Sequence, residues 1–249
     1  MPGLREQLLA ARPDDALVRW AVTDASTGDL SVDGAVLVDG RNVAWRGRAS
    51  RPGERWATGL GDDPRAVAAL VEAIAARHEI DGVTVPEAAF AALPPRLRSP
   101  DPGHWCYWTR PVGIDGLESG SAKRLLHDDS RIGPLLAHSA SAHVFPGDER
   151  IIAWYGVERG PELVAVAARL QEASGAAHLV SVCTHPDARG EGLGRMVCAA
   201  GIAEATAEGA PMIVLEMYVA NDAGRALYSG LGFTERGRYL SGLLDPRAD

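Results

Sequence analysis

The chain has 249 residues, of which 46% are hydrophobic, and a formal net charge of −8. This length and composition predict a soluble globular protein with a substantial core, built as one large domain or two small ones. The excess of acidic residues argues against nonspecific binding to nucleic acid or to anionic membranes. The sequence shows no signal-peptide core and no apolar run long enough to span a bilayer, which favours the cytoplasm.

The cysteines and histidines do not indicate a metal site or a disulfide framework. Cys106, Cys183 and Cys198 are odd in number and widely spaced, without a Cys-x-x-Cys pair, so we expect reduced thiols. The seven histidines show no metal-ligand spacing, and we expect no metal.

The first half of the chain alternates strand and helix patterns. Apolar runs on both sides of Asp39-Gly40 predict a hairpin over residues 34–46. Asp63-Pro64 then starts a helix. The apolar face of that helix contains Val67, Leu70, Val71 and Ile74. A strand over 82–85, a helix over 87–92 and a strand over 105–108 are predicted next. This half contains no phosphate loop, and we interpret residues 1–115 as an accessory αβ domain.

The second half, residues 116–249, begins after a predicted boundary between Gly113 and Ser121. Asp129 is placed to cap a helix that runs through Ala142. The following elements are a turn at residues 146–148 and two adjacent strands at 151–157 and 163–168.

A glycine-rich run follows the apolar strand Leu179–Thr184 and opens a helical pattern. It reads Arg189-Gly190-Glu191-Gly192-Leu193-Gly194. Without side chains at the glycines, an anion can approach the main chain, where the first N–H groups and the dipole of the helix attract it. A dinucleotide fingerprint would need a third glycine at Arg195, and a nucleoside-triphosphate loop would need Lys-Ser/Thr. The run therefore predicts a phosphate-binding loop of another kind.

A buried strand and a capped helix come next. Residues 212–219 are rich in β-branched and apolar residues, and Asn221 is a good N-cap for a helix that stops at Gly232. Tyr228 lies two turns beyond Asn221 on one face, roughly 10 Å away. Such a face can follow an extended molecule.

These residues together resemble the GNAT-type N-acetyltransferase superfamily. Arg189, Gly192 and Gly194 stand at the fixed positions of its Arg/Gln-x-x-Gly-x-Gly/Ala signature, and residues 227–233 resemble its Tyr-x-x-x-Gly-Phe ending. The resemblance extends over about residues 154–244. It implies an α/β fold of the GNAT acyltransferase type in residues 116–249, with a mixed β-sheet flanked by helices. Residues 1–115 could be a degenerate copy of the same fold.

The resemblance also implies acetyl-CoA as cosubstrate. The glycine-rich loop would hold the pyrophosphate, main-chain N–H groups at the end of the preceding strand would meet the pantetheine amides and the thioester oxygen, and the asparagine would bind the pantetheine arm. The residues that these roles require are Val182, Cys183, Thr184, Arg189, Gly190, Glu191, Gly192, Leu193, Gly194, Arg195 and Asn221.

Direct attack of an amine on the thioester needs a base and an acid. By resemblance, Tyr228 is the acid that protonates the leaving thiolate. Glu216, on the strand ahead of Asn221, is the best candidate base, although a salt bridge at the strand end is an equal alternative. Cys183 lies beside the expected thioester; we interpret it as a small buried residue, and a covalent acyl-cysteine is the other possibility.

The acceptor is expected to be a primary amine of a small molecule or a peptide, and a homodimer is conceivable. Asp128, Asp129, His143 and Trp154 are acceptor-side candidates by placement alone. Two alternatives stay open: a noncatalytic CoA-binding module, and a transferase of another acyl group or to an oxygen acceptor. The presence of both Tyr228 and Glu216 favours catalysis.

Overall fold

The computed structural model describes residues 3–22, 36–48, 54–113 and 117–245. Contacts group the chain into two compact units. Unit 1 comprises residues 1–107, 217–220 and 236–249, and unit 2 comprises residues 108–216 and 221–235. No single cut in the sequence produces this grouping. A functional division between residues 115 and 116, which lie outside the described residues, stays a proposal.

Unit 1 has a mixed sheet with one long helix against it. Its elements include α1 (Leu4–Ala11), α2 (Ala16–Trp20), β1 (Val36–Asp39), β2 (Asn42–Arg48), β3 (Arg55–Leu60), α3 (Pro64–Ala75), β4 (Gly82–Pro86) and α4 (Glu87–Phe90). Strands β1, β2 and β3 form an antiparallel meander, and α3 connects β3 to the parallel strand β4. The apolar stripe of α3, which includes Val67 and Val71, packs with Val83 and Val85 of β4 in one core cluster.

Unit 2 also has a mixed sheet with helices packed against it. Its elements are β6 (Lys123–Leu125), α5 (Ile132–Leu136), β7 (Ile151–Arg159), β8 (Glu162–Gln171), β9 (Ala177–Thr184), α6 (Leu193–Ala207) and α7 (Asp222–Gly230). Three further strands each have residues in both units: β5 (Gly103–Pro111), β10 (Met212–Tyr218) and β11 (Thr234–Leu243). Strands β6 to β9 pair antiparallel in chain order, and β10 pairs parallel to β9.

The sheet of unit 2 separates two apolar clusters because alternate strand residues point to opposite faces. On one face, Leu193 and Val197 of α6 pack with Ala165 and Ala167 of β8. On the other face, α5 packs with Trp154, Val166 and Val180, among others. This second face carries the polar residues described below.

Both units contain an antiparallel meander, a helix and a parallel strand in the same order. In unit 1 these are β1 to β3, α3 and β4; in unit 2 they are β7 to β9, α6 and β10. The shared order supports the interpretation of the first half as a degenerate copy. That common origin stays a proposal.

Most sequence-predicted elements are present. The hairpin is confirmed, with Asp39 opposite Asn42, although Gly34 and Ala35 lie outside the described residues. The helix at Asp63-Pro64 is confirmed as well. Among the helices of the described ranges, none is both long and apolar enough to cross a bilayer.

Two predicted helices are shorter than expected. Helix α4 ends at Phe90 instead of Ala92. The predicted helix from Asp129 to Ala142 is wrong in extent, because α5 covers only Ile132–Leu136 and its N-cap is Arg131. Asp129 instead accepts hydrogen bonds from the N–H and the guanidinium of Arg131. Gly133, Pro134 and the serines after the helix favour turns over a long helix.

Candidate functional site

The loop before α6 leaves the start of this helix open. Gly190 and Gly192 have φ angles of 83° and 79°, in the left-handed region that glycine adopts without strain, and Gly192 is the N-cap. No side chain caps α6, and its first turn contains no acidic residue. The first N–H groups of α6 therefore lack a side-chain acceptor, which suits an anionic ligand.

Three other residues predicted to form the phosphate-binding loop contact protein groups outside it. Leu193 is buried in the core of unit 2, Glu191 pairs with Arg159 at 2.5 Å, and the guanidinium of Arg195 donates to the carbonyl of Gly230 at 2.7 Å. Arg189 is exposed, with its Nε 3.4 Å from the Thr184 carbonyl. The loop therefore presents main chain and one exposed guanidinium to a ligand.

Gly194 lies beside the end of β9. A Cβ atom at this position would stand 3.4 Å from Oγ1 of Thr184 and 3.6 Å from Cδ2 of Leu227. A methyl group would be in ordinary contact there, whereas a longer side chain would enter the space in front of the helix.

Strands β9 and β10 diverge toward the glycine-rich loop. Their paired residues are Ile213 with Ala177 and Val214 with His178, and pairing does not continue beyond them. Ser181, at φ 51°, is the only non-glycine residue of the described ranges in the left-handed region, and it lies in a bulge of β9. The end of β9 keeps its ladder with β8, while its other edge is left unpaired by β10.

Helix α7 carries the predicted asparagine and tyrosine. The Asn221 side chain caps the helix by accepting from the Gly224 N–H at 2.8 Å. Tyr228 is buried two turns later, with its ring edge-on to Phe233 at a centroid distance of 5.8 Å. Burial, with Cys198 nearby, raises the pKa of the Tyr228 phenol, which is therefore neutral and able to donate a proton.

Glu216 lies in a polar group on the α5 face of the unit 2 sheet. Its side chain is exposed, but surrounding protein is close enough to raise the pKa of the carboxyl by desolvation. His178 and His143 oppose this effect on the pKa, and Glu172 adds to it. Glu216 is thus an accessible carboxylate with a strengthened affinity for a proton.

His178 and Glu172 belong to the same group, and no sequence motif predicts a role for either residue. Nδ1 of His178 lies 2.7 Å from Oε1 of Glu172. The pKa of His178 is raised: burial opposes the rise, while Glu172 and Glu216 produce it. The only sequence signal is strand alternation, which cannot bring the three residues together without the pairing register.

The acceptor-side candidates have different environments. Trp154 is fully buried in the core. Asp129 is held by Arg131, whose hydrogen bonds lower the pKa of the carboxyl. Asp128 is exposed, and exposed His143 is the candidate that interacts with Glu216. His143 therefore belongs to the polar group, whereas Trp154 is a core residue.

The three cysteines lie in the interior of the described structure. All three are buried, and none of them forms a disulfide. The thiol of Cys183 donates to the Leu135 carbonyl at 3.3 Å, and burial raises its pKa. A protonated, hydrogen-bonded thiol fits a core residue better than a nucleophile. Within the described ranges, no group of three or more His, Cys, Asp or Glu side chains could hold a metal ion.

Comparison with known families agrees with this geometry. The model of the acetyltransferase (GNAT) family matches residues 117–233, which include the glycine-rich loop, the diverging strands and α7. This segment therefore belongs to the GNAT acetyltransferase family and has the GNAT fold, a mixed sheet flanked by helices. A search of curated proteins found no significant match.

Solved structures share the fold over most of the chain. A protein described as a GNAT-family acetyltransferase from Novosphingobium aromaticivorans is 22% identical, with a TM-score of 0.57 over 86% of this chain and 92% of its own. A GCN5-related N-acetyltransferase from Kribbella flavida is 16% identical, with a TM-score of 0.53 over 100% of this chain and 98% of its own. At these identities the likeness concerns the fold alone.

Proposed function

We propose that the protein is an acetyl-CoA-dependent N-acetyltransferase that moves the acetyl group to a primary amine within a ternary complex. The observation that carries the proposal is the uncapped, glycine-opened start of α6 beside the point where β9 and β10 diverge. A diphosphate fits the first feature, and an extended amide-containing arm fits the second. Coenzyme A combines both groups.

In this proposal the cosubstrate follows unit 2 from the loop to α7. The main chain from Gly190 to Gly194 and the guanidinium of Arg189 hold the pyrophosphate. The unpaired edge of Val182 to Thr184 hydrogen-bonds the pantetheine amides. Asn221 uses its side-chain oxygen as a helix cap, so its amide N–H group is the part that faces the arm.

The chemistry is attack of the free amine on the thioester carbonyl. A main-chain N–H of β9 stabilises the oxyanion, an interaction worth roughly 3 kcal/mol in other enzymes. Tyr228 gives its proton to the departing thiolate. Glu216 takes a proton from the acceptor ammonium, directly or through water.

Two other functions remain as alternatives. A CoA-binding module without catalysis would need the loop and Asn221 but not Tyr228 or Glu216. A transferase for another acyl group or an oxygen acceptor would use the same loop, because the loop contacts only the coenzyme. The proton-accepting position of Glu216 favours an amine, which must lose a proton before it attacks.

The test is a panel of small-molecule and peptide amines incubated with acetyl-CoA, with release of free thiol as the readout. We expect amine-dependent thiol release by the parent protein and a product heavier by one acetyl group. Propionyl-CoA and alcohol acceptors serve as comparisons. Binding of acetyl-CoA without thiol release across the panel would favour the noncatalytic module.

A further inference from the structure

We propose that His178, held by Glu172, is the positioning residue through which Glu216 passes on the acceptor's proton; this inference rests on the proposed acetyl transfer. His178 lies on β9, Glu216 lies on the neighbouring strand β10, and Glu172 is the first residue after β8. The proposal adds His178 and Glu172 to the residues that handle the proton of the acceptor.

Strand register places His178 and Glu216 on one face of the sheet, with Glu172 next to the end of β8. His178 of β9 is paired with Val214 of β10, and Glu216 is two residues beyond Val214. On the other side, His178 is paired with Leu170 of β8, and Glu172 is two residues beyond Leu170. Because residues two apart on a strand point the same way, His178 and Glu216 leave the same face, and Glu172, the first residue after β8, reaches Nδ1 of His178 from the turn.

The contact between His178 and Glu172 fixes the imidazole. Nδ1 of His178 lies 2.7 Å from Oε1 of Glu172; when Glu172 is ionised it can only accept, so Nδ1–H is the donor and Nε2 of the neutral ring is the proton acceptor. Among the described residues, no group hydrogen-bonds to Nε2. A carboxylate behind an imidazole both orients the ring and stabilises its cation, as in other histidine bases.

The charges around His178 and Glu172 favour a proton on the His178 ring. Glu172 acts on His178 from the turn after β8 and Glu216 acts from β10, while Arg150 opposes them from the loop before β7. His143 acts on Glu216 from the loop after α5. Two carboxylates and one arginine act on His178, so the protonated His178 ring is stabilised. Glu216 can then give its proton to this ring and return to its ionised form.

The proton steps balance. One proton leaves the acceptor ammonium for Glu216, moves to Nε2 of His178 and is later released to solvent. The free amine then forms the C–N bond, and the C–S bond breaks. A second proton leaves the nitrogen for solvent as the tetrahedral intermediate collapses, and solvent returns one proton to Tyr228 in place of the proton that it gives to the thiolate.

The first experiment measures the pair without catalysis. The C–H signals of the His178 ring are titrated by NMR in the parent, in Glu172→Gln and in Glu149→Gln, an exposed glutamate of the same unit. We expect the His178 midpoint to fall in Glu172→Gln and to stay unchanged in Glu149→Gln. An unchanged midpoint in Glu172→Gln would overturn the proposed coupling.

The second experiment follows kcat/KM against pH with a fixed amine acceptor. We expect Glu172→Gln to move the acidic limb to lower pH together with the NMR midpoint, and His178→Gln to lower kcat/KM at neutral pH by about 10²-fold or more. Calorimetric affinity for acetyl-CoA should stay the same in both. Glu172→Asp, which keeps a carboxylate, should recover part of the parent profile.

The outcomes separate the two proposals. If the parent releases thiol but both variants keep its pH profile, the pair is a structural ion pair and this inference is wrong. If the parent binds no acetyl-CoA or releases no thiol, the proposed function is wrong, while the NMR titration still decides whether Glu172 holds His178.

Discussion

The carboxylate of Asp63 accepts a hydrogen bond from the N–H of Arg65 at 2.9 Å, and so occupies the start of α3. The same carboxylate accepts from the Ala66 N–H, while the Asn42 amide oxygen accepts from the N–H groups of Asp62 and Asp63. In unit 2 the equivalent helix α6 has no such cap. The first N–H groups of α3 are thus already hydrogen-bonded to a side chain. That side chain is a carboxylate, and its negative charge repels phosphate.

We therefore expect one molecule of CoA per chain, although the two units share an order of elements. Isothermal titration calorimetry of the parent with CoA gives the stoichiometry. Asp63→Ser, which keeps a capping oxygen without the charge, should not change it. Two equivalents per chain would contradict the assignment of unit 2 as the site of the coenzyme.

Gly194→Asp should abolish measurable CoA binding, because it adds bulk and negative charge where the pyrophosphate must approach the α6 main chain. Gly194 is the better position for this test, since any side chain at Gly192 would also strain a φ of 79°. Ala207→Asp puts the same charge at the far end of α6 and should bind CoA normally. Parent-like calorimetric affinity in a folded Gly194→Asp protein would remove the loop from the site.

Tyr228→Phe should slow turnover by about 10²-fold or more while keeping the affinity for acetyl-CoA, because the hydroxyl acts on the departing thiolate and not on the resting cosubstrate. Steady-state kinetics and calorimetry measure the two quantities. Tyr155→Phe is the matched control, since its hydroxyl instead bonds Arg169 in the core. Equal turnover in parent and Tyr228→Phe would assign the proton to another donor.

Glu216→Gln should lower activity and raise stability at neutral pH. Because the pKa of Glu216 is raised, the folded protein binds its proton more tightly than the unfolded chain, so stability falls as pH rises through this pKa. The glutamine has no proton to lose, and its free energy of unfolding should exceed the parent's above that range but not below it. Urea titrations across pH measure this difference.

The same variant should lose most of its turnover at pH 7 and regain part of it as rising pH supplies more free amine. Glu149→Gln is again the control for the loss of one surface charge. Parent-like activity at every pH would make Glu216 a structural residue.

Arg169→Leu should destabilise the protein by about 2 kcal/mol or more, because it leaves the buried Tyr155 hydroxyl without its partner and breaks the pairs of a buried guanidinium. Arg169 is 2% exposed, and its guanidinium contacts the Tyr155 hydroxyl, Glu204 and Glu208. Arg124→Leu, which breaks an exposed pair with Glu204, should cost much less. Denaturant unfolding compares the two, and equal losses would show that burial of Arg169 is not the cause.

Local sequence was enough to predict the elements that short-range chemistry specifies. Asp63 and Asn221 cap their helices by contacts two and three residues away, and the glycines of the 189–194 run open a helix by their own backbone freedom. Elements with weak local signals carried no prediction; these are α1, α2, β3, β6 and β11. The helix expected from Asp129 failed because that carboxylate bonds Arg131 in a turn.

The sequence by itself therefore determined the loop and the caps, since each depends on neighbours along the chain, while the roles of Tyr228 and Glu216 come from the family resemblance and stay predictions. Only the tertiary structure decided that Glu172, His178 and Glu216 come together, because strand pairing joins segments far apart in sequence. It likewise decided that Trp154 is core and that Cys183 is a buried thiol, since burial depends on what packs against a residue from elsewhere in the fold.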